Sequence, residues 1–410
     1  MSPPGLDVEF CRESFPPLAN GIAYFDNAGG TYVPRPVIDG MQEFMSQCQC
    51  QPAWAFRSSR ESARRLERTR TSLSAAINAD PDELVIGPST TLNVYVLAHA
   101  LAPNMAPGDE IVVSNQDHEA NSGAWRRLAD AGVVVREWAI DPDSGDLDPA
   151  HLEPLLNDRT RLVCFPQVSN VVGSQNDVAA ITSRVQAAGA MVCVDGVASV
   201  GHLLPDMHAL GVDFYLFSLY KLFGPHLGVL YARRERIAEA HNQYHFFMRD
   251  GGAAKLNPGG LSYPSVASAS GIVDYFEAVY AHHFEAGEND LRSRLDAVYG
   301  LFSAHEQALM QRFVDFAATR AGVRLIGRHS GDPTLRAPTF SLALSGQSPA
   351  DVADTLAEQD IGVAHGHFYG IRTVQALGID PDPGVLRVSM SHYNTLDEVD
   401  RLVSALDSAL

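Results

Sequence analysis

Residues 211–231 read GVDFYLFSLYKLFGPHLGVLY. An apolar, aromatic-rich segment ends at one lysine, Lys221, and is followed by a Gly-Pro turn and a second apolar segment. This pattern predicts two strands, with Lys221 at the end of the first. Apolar surroundings disfavour the ammonium form and lower a lysine pKa, which suits Schiff-base formation with an aldehyde cofactor. The alternative is a structural lysine at the rim of a core strand, with its ammonium group in water. The residues at neighbouring strand ends distinguish this alternative from a cofactor-binding lysine.

Two other strand ends carry chemically suitable residues. Residues 192–196 read VCVDG, a buried strand that ends at Asp195, and His118 follows the strand at 111–114. The carboxyl ends of parallel strands face the crevice where open α/β sheets bind ligands. Pyridoxal phosphate (PLP) needs an acid that keeps its pyridine nitrogen protonated. We therefore expect Asp195 to pair with that nitrogen and His118 to stack on the ring or shuttle protons.

Strand-like and helical segments alternate along the first two thirds of the chain. Apolar runs predict strands at 84–86, 111–113, 133–135, 162–165, 191–194, 214–217 and 229–231, separated by helical stretches such as 179–188. This order predicts an α/β fold with a mainly parallel sheet that has helices on both faces. Long helices follow to about residue 320, then short strands at 323–326 and 339–344, and a closing helix that begins at a capping box of Thr395 and Glu398.

Composition narrows the class of protein. The chain has 410 residues, 46% hydrophobic content and a formal net charge of -19, so we expect a large core and no nucleic-acid or anionic-membrane partner. The N-terminus lacks the pattern of a signal peptide and no apolar run is long enough for a membrane span, which predicts a cytoplasmic protein. The five cysteines form no disulfide framework, and Cys48 and Cys50 lack further ligands, so we expect no metal site.

Six motifs in order along the chain resemble those of one known family. They are residues 24–31 (YFDNAGGT), 89–91 (STT), 117–121 (DHEAN), 169–173 (SNVVG), 195–231 and 386–395 (LRVSMSHYNT). Together they resemble the cysteine desulfurase family, the class V aminotransferase group of fold-type I PLP enzymes. The resemblance implies PLP as cofactor, an amino-acid substrate and a homodimer. It also implies three parts: an N-terminal segment 1–20 that packs with the small domain, a large PLP-binding domain 21–264, and long helices with a small α+β domain over 265–410.

The resemblance also assigns roles to individual residues. For the cofactor phosphate it implies Ser89, Thr90, Thr91, Ser218 and, where the family usually has histidine, Tyr220. It places Asn170 near the phenolic oxygen of the cofactor and the substrate carboxylate, Arg387 on that carboxylate, and Gly29 on the substrate side. Local alternatives exist for three of these: a plain helix cap at Ser89, a turn residue at Asn170 and an exposed strand arginine at Arg387.

Departures from the family pattern bear on the reaction. Residues 363–370 read VAHGHFYG, with Tyr369 where desulfurases carry the loop cysteine that accepts sulfur. A phenol cannot form a persulfide. The pattern resembles a subgroup without this cysteine, which includes isopenicillin N epimerase-like proteins and C–S lyases, and implies substrate-side roles for His365, His367 and Tyr369; the alternative is an exposed loop.

Two cofactor contacts of the family are also replaced. Ala198 lies where the family has a glutamine that hydrogen-bonds the phenolic oxygen of the cofactor. Gly260 lies where the family has a threonine that contacts the phosphate of the neighbouring subunit's cofactor, and Ser262 is the expected substitute for that contact. The residues therefore predict other contacts to the cofactor at these two places.

Three functions remain open at the level of sequence. The first is an amino-acid lyase of the C–S type, in which Lys221 takes the α-proton, Tyr369 or His367 assists, and a β-substituent leaves. The second is transamination or epimerisation, with true cysteine desulfuration disfavoured by the loop. The third is a non-catalytic scaffold or sulfur-pathway binding protein, against which the joint presence of Lys221, Asp195, His118 and Arg387 argues.

Overall fold

The computed structural model describes residues 5–247, 251–285 and 290–410. The strands of these residues are, in chain order, β1 Ala23–Tyr24, β2 Leu84–Gly87, β3 Glu110–Ser114, β4 Val134–Trp138, β5 Thr160–Pro166, β6 Met191–Asp195, β7 Phe214–Ser218, β8 Gly228–Ala232, β9 Val323–Leu325, β10 Thr339–Leu344, β11 Ile361–Gly362, β12 Ala364–Gly366 and β13 Val385–Ser389.

The helices cover the faces of these strands. They are α1 Val8–Glu13, α2 Arg35–Gln47, α3 Arg57–Ala76, α4 Thr90–Leu101, α5 Gly123–Arg126, α6 Pro149–Leu152, α7 Val178–Ala187, α8 Met207–Leu210, α9 Arg234–Glu239, α10 Tyr263–Ser268, α11 Ser270–His283, α12 Leu291–Ala317, α13 Pro349–Ala357, α14 Ile371–Ala376 and α15 Leu396–Ala409.

Within the described residues, a seven-stranded sheet has the order β2-β8-β7-β6-β5-β3-β4. Strands β3 to β7 are parallel to their neighbours among themselves, and β8 runs antiparallel to both β7 and β2. Because β8 is antiparallel to both of its neighbours, β2 points the same way as β7. The predicted mainly parallel sheet is confirmed. The strand pattern predicted β8 but did not predict that it runs antiparallel to its neighbours.

The strands β2, β3, β7 and β8 are buried on both faces, as continuous apolar strands require, whereas the edge strand β4 is largely exposed. Alternate strand residues belong to two separate apolar clusters. One cluster packs under α7, α11 and α12 and includes Val112, Val163, Val192, Tyr215 and Val229; the other packs under α4 and α5 and includes Ile111, Cys164, Cys193, Leu216 and Leu230. The side-chain alternation of strands thus gives each face its own core.

The C-terminal part contains a smaller antiparallel sheet of order β12-β13-β10-β9. It packs with α13, α15 and the end of α12 around a third apolar cluster. The capping box at the start of α15 is present, with Thr395 and Glu398 each bonded to the other's backbone N–H. The predicted small α+β unit is therefore confirmed.

The N-terminal segment contacts helix α11 and the region where helix α15 begins. Arg12 donates to the backbone oxygen of Tyr393 at 2.6 Å and pairs with Glu398 at 3.0 Å, while Asp7 contacts His282 at 3.0 Å. Strand β1 pairs in parallel with β11. The predicted domain boundaries stay predictions, and residues 1–4 of the predicted N-terminal segment lie outside the described residues.

No helix in the described ranges combines the length and the apolar character that a membrane crossing needs.

Candidate active site

One cavity lies at the carboxyl ends of the parallel strands. Strands β2, β3, β5, β6 and β7 point the same way, so the loops that follow them meet at one edge of the sheet. The cavity there is lined by many of the residues predicted from sequence: Ser89, Thr90, Thr91, His118, Asn170, Asp195, Ser218, Tyr220 and Lys221. Ala198 also lines it. Residues that are far apart in the chain therefore face one small volume.

Lys221 ends a 3-10 turn that follows β7. The turn is held in place by the backbone N–H of Thr31, which donates to the oxygen of Tyr220 at 2.9 Å. Burial first, and then the positive charge of Arg387, lower the pKa of Lys221 to about 8, against the opposing effect of Asp195. The lysine is thus available as a neutral amine near physiological pH.

Asp195 is the last residue of β6 and is buried. Its Oδ1 accepts a hydrogen bond from the N–H of Val197 at 2.8 Å. Burial raises the pKa of this carboxyl to about 6, while Val197 and the charge of Lys221 act in the opposite direction. A buried carboxylate with one backbone partner is suited to pair with a cation in the cavity.

His118 lies in the loop after β3. Its Nδ1 accepts a hydrogen bond from the N–H of Ala120 at 3.0 Å, so Nε2 carries the hydrogen of the neutral ring. Burial first, and then the charges of Lys221 and Arg387, lower the pKa of His118 to about 3. The imidazole is therefore a flat, neutral group, which suits stacking on an aromatic cofactor.

The loop of His118 is anchored by its buried neighbour Asp117. This carboxyl contacts the hydroxyl of Ser114 and accepts from Asn121 Nδ2 at 2.9 Å. Burial raises its pKa well above the usual range. Asp117 therefore positions the histidine and has no access to the cavity of its own.

Hydroxyl groups and a helix N-terminus form one end of the cavity. Ser89 caps α4 by accepting from the N–H of Leu92 at 3.1 Å, and Thr90 Oγ1 lies 2.7 Å from Ser218 Oγ. A Cβ at Gly228 would lie 2.3 Å from the backbone nitrogen of Thr90, so only glycine lets β8 come this close to the loop. Hydroxyls and free N–H groups at a helix start favour an anion such as phosphate.

Arg387 is buried at the side of Lys221 and holds several groups together. Its Nη2 lies 2.8 Å from Asp26 Oδ1 and its Nη1 donates to the oxygen of Asn170 at 3.3 Å. The ring of Phe368 covers the guanidinium at 3.7 Å. Within the described residues, the Nε of Arg387 and the Oδ1 of Asn170 are buried without a hydrogen-bond partner. Such orphaned polar atoms favour a ligand that completes them.

The loop over Arg387 has unusual backbone geometry. Phe368 and Tyr369 have φ values of 50° and 58°, a left-handed conformation that is uncommon for bulky residues and is often found at functional sites. The loop is fixed to the loops that follow β3 and β5, because Asn170 Nδ2 donates to the oxygen of Phe368 and the N–H of Glu119 donates to that of Tyr369, both at 2.9 Å.

The side chains of this loop differ in where they lie. The ring centroid of Tyr369 is 5.3 Å from that of His118, although the phenol is 69% exposed. His365 is exposed in β12 and His367 is half-buried; His367 Nδ1 accepts from the N–H of Tyr369 at 3.2 Å. None of these three side chains is among the residues that line the cavity, and Tyr369 is the one that lies beside the lining residue His118.

The remaining predicted contacts also lie outside the cavity lining. Gly29 is exposed, and a Cβ there would lie 2.4 Å from Asp26 Oδ2, so this glycine gives room to the partner of Arg387. A Cβ at Gly260 would meet nothing within 4 Å. The hydroxyl of Ser262 lies 2.8 Å from that of Ser265.

Three residues at the site were not singled out from the sequence. Asp26 lies in the motif 24–31, where an acid beside glycines was a usable signal. Phe368 lies between the singled-out His367 and Tyr369, and no local pattern marks its ring as the cover of Arg387. His226 lines the cavity and stacks on Tyr220, with ring centroids 4.4 Å apart; its position directly after the Gly-Pro turn was the only sequence signal.

Comparisons with known proteins agree with this geometry. Residues 23–252 and 299–402 match the model of the family described as aminotransferase class V. The chain is 34% identical to the aminotransferase-like protein FGM3 of Gibberella zeae, over 100% of both chains. It is 33% identical to the cysteine desulfurase-like protein ustD of Aspergillus flavus, over 98% of this chain and 90% of that protein.

A solved structure shows the same architecture. The cysteine desulfurase CsdA of Escherichia coli superposes with a TM-score of 0.83 and 26% identity, over 99% of each chain. The predicted fold-type I architecture is thereby confirmed.

Proposed function

This chain belongs to the class V aminotransferase family of PLP-dependent enzymes, and on that premise we propose that it is an amino-acid lyase that eliminates a β-substituent such as a thiolate. The observation that carries the proposal is one cavity that holds Lys221, Asp195 and His118, with Tyr369 rather than a cysteine beside His118. A lysine amine, a buried acid and a neutral imidazole are the groups such a reaction needs.

The residues present fit the cofactor. Asp195 would pair with the pyridine nitrogen, His118 would stack on the ring, and Lys221 would be the amine for the aldehyde carbon. The phosphate would be held by the hydroxyl end of the cavity, at Ser89, Thr90, Thr91, Ser218 and Tyr220. The bound cofactor supplies an electron sink that accepts the electron pair left when the α-proton is removed.

Lys221 moves the proton. Its pKa of about 8 means that the amine is partly neutral at pH 7 to 8, so Nζ takes the α-proton of the amino acid. The bond between the β-carbon and the leaving sulfur then breaks, and the electron pair stays on sulfur, which leaves as a thiolate and gains a proton. We infer that Tyr369, which lies beside His118, or His367 in the same loop supplies that proton.

Arg387 orients the substrate. Its Nε, which is buried without a partner among the described residues, offers a hydrogen-bond donor to the substrate carboxylate. A guanidinium held by Asp26 and Asn170 has little freedom, so the α-carbon is presented to Lys221 in one orientation.

Sulfur transfer through a loop cysteine is disfavoured by the same loop. Tyr369 carries a phenol, which cannot accept a sulfur atom as a persulfide. Four of the cysteines are buried, and Cys50 is partly exposed; within the described residues that line the cavity, no cysteine is found. The thiol therefore has no protein acceptor at the site and leaves as product.

A homodimer completes the proposal. The family resemblance places the segment Pro258–Tyr263 against the neighbouring subunit, where Gly260 and Ser262 replace the usual threonine. Exposed apolar side chains support a second copy of the chain as partner; they include Ile38, Met45, Trp54 and Phe56.

Product analysis tests the reaction. Purified holoenzyme is incubated with S-ethyl-cysteine, and we expect ethanethiol, pyruvate and ammonia in equal amounts without an added keto acid, with solvent water hydrolysing the released enamine to pyruvate and ammonia. The Lys221→Ala variant is the matched control and forms none of them. Amino transfer to an added keto acid would favour an aminotransferase instead, and α-deuterium incorporation with loss of chirality would favour an epimerase. Alanine with a protein persulfide from cysteine would refute the proposal.

A further inference from the structure

The hydroxyl end of the cavity has few sources of positive charge. Among the residues that line the cavity, only Lys221, His118 and His226 can carry one. Lys221 is used for the aldehyde, and the low pKa of His118, about 3, keeps that ring neutral. A phosphate group carries close to two negative charges at neutral pH, and hydroxyls with a helix N-terminus neutralise only part of this charge.

His226 is the remaining candidate, and its position is defined by the fold. It lies between the Gly-Pro turn and β8, whose first residue, Gly228, is in close approach to Ser89 and Thr90. This approach brings the loop of His226 to the same end of the cavity as the hydroxyl groups. The imidazole is solvent-exposed and is among the groups that line the cavity.

Stacking on Tyr220 orients the imidazole. The two rings are nearly parallel, with an interplanar angle of 5° and centroids 4.4 Å apart. Tyr220 precedes Lys221 directly, so the stack ties His226 to the turn that carries the lysine. A ring stacked face to face keeps its N–H groups in the ring plane, where the stack does not block them.

We propose that His226 is part of the phosphate-binding site and that its imidazole donates to the cofactor phosphate from the solvent side. This inference rests on the proposed function, which places PLP in the cavity. It assigns to His226 the role of a ring N–H donor at this end of the cavity, and to Tyr220 the role of holding the imidazole.

The test compares PLP with pyridoxal, which lacks the phosphate. Cofactor-free protein is titrated with each aldehyde, and binding is followed by the absorbance of the bound chromophore. In His226→Gln we expect the affinity for PLP to fall about tenfold, as loss of one charge-assisted hydrogen bond implies, while the affinity for pyridoxal stays unchanged. The ³¹P signal of bound PLP should also shift.

Two further variants separate charge from stacking. His226→Phe keeps a flat ring on Tyr220 but has no donor, so it should lose PLP affinity as His226→Gln does. His208→Gln removes an exposed imidazole on α8 that does not line the cavity and should behave as wild type.

The outcomes distinguish this inference from the proposed function. An equal loss of PLP and pyridoxal affinity in His226→Gln would mean a structural role, and an unchanged PLP affinity would mean no role; either result overturns the inference while the function stands. If wild type binds neither aldehyde at Lys221, the proposed function itself fails.

Discussion

Replacement of Asp195 by asparagine tests the electrostatics of the site. The Asp195 side chain is 4% exposed, and burial raises the pKa of its carboxyl from 3.8 to about 6. Because the folded pKa lies above the unfolded one, the stability contributed by the protonated form is present below pH 3.8 and is lost as the pH rises towards 6. The gap of about 2.2 between the two pKa values corresponds to about 3 kcal/mol of unfolding free energy.

The Asp195→Asn side chain is neutral at every pH and keeps an acceptor for the N–H of Val197. In the cofactor-free state we therefore expect the variant to be more stable than wild type by about 3 kcal/mol at pH 7.5 and by only about 1 kcal/mol at pH 4.5. Urea unfolding of both proteins at the two pH values measures this gap. With PLP present the variant should bind the cofactor more weakly, since the carboxylate that pairs with the pyridinium is gone.

The exposed carboxylate of Asp39 on α2 provides the matched control, because Asp39→Asn also removes one negative charge. The reasoning would be refuted by a stability gap that is equal at pH 4.5 and 7.5, or by a cofactor-free wild type more stable than Asp195→Asn at pH 7.5. Either result would mean that the carboxylate is solvated or paired in the cofactor-free protein.

Three further predictions concern other parts of the site. Because the pKa of Lys221 is about 8, the neutral fraction of its amine at pH 7 is about 300 times that of a lysine with the usual pKa; attachment of PLP to the cofactor-free protein should show a midpoint near pH 8, and a midpoint near 10 would contradict the burial argument. Arg387→Lys removes the forked donor set and the free Nε, so KM for the amino acid should rise about tenfold or more with a smaller change in kcat; an unchanged KM would mean that the carboxylate binds elsewhere. Sedimentation at micromolar concentration should show a dimer, and a monomer that still binds PLP fully would contradict the proposed subunit contact.

The sequence by itself determined the local part of the architecture. Apolar runs placed the central strands because these are buried on both faces, and the position of Asp195 at the end of β6 followed from where its run stops. Lys221 was predicted at the end of a strand, but it ends a 3-10 turn that follows β7. The capping box at Thr395 and Glu398 was predicted for the same reason: its hydrogen bonds join residues three apart in the chain. Family motifs then linked these positions to PLP chemistry.

Only the tertiary structure decided how distant segments meet. The antiparallel course of β8, the pairing of Asp26 with Arg387, the ring of Phe368 over that arginine and the stack of His226 on Tyr220 all depend on packing between separate loops. Contacts of this kind have no local periodicity or cap that marks them, because their energy comes from burial and charge pairing after the sheets are assembled. The charge balance of the cavity, and with it the assignment of His226, therefore became visible only in the folded chain.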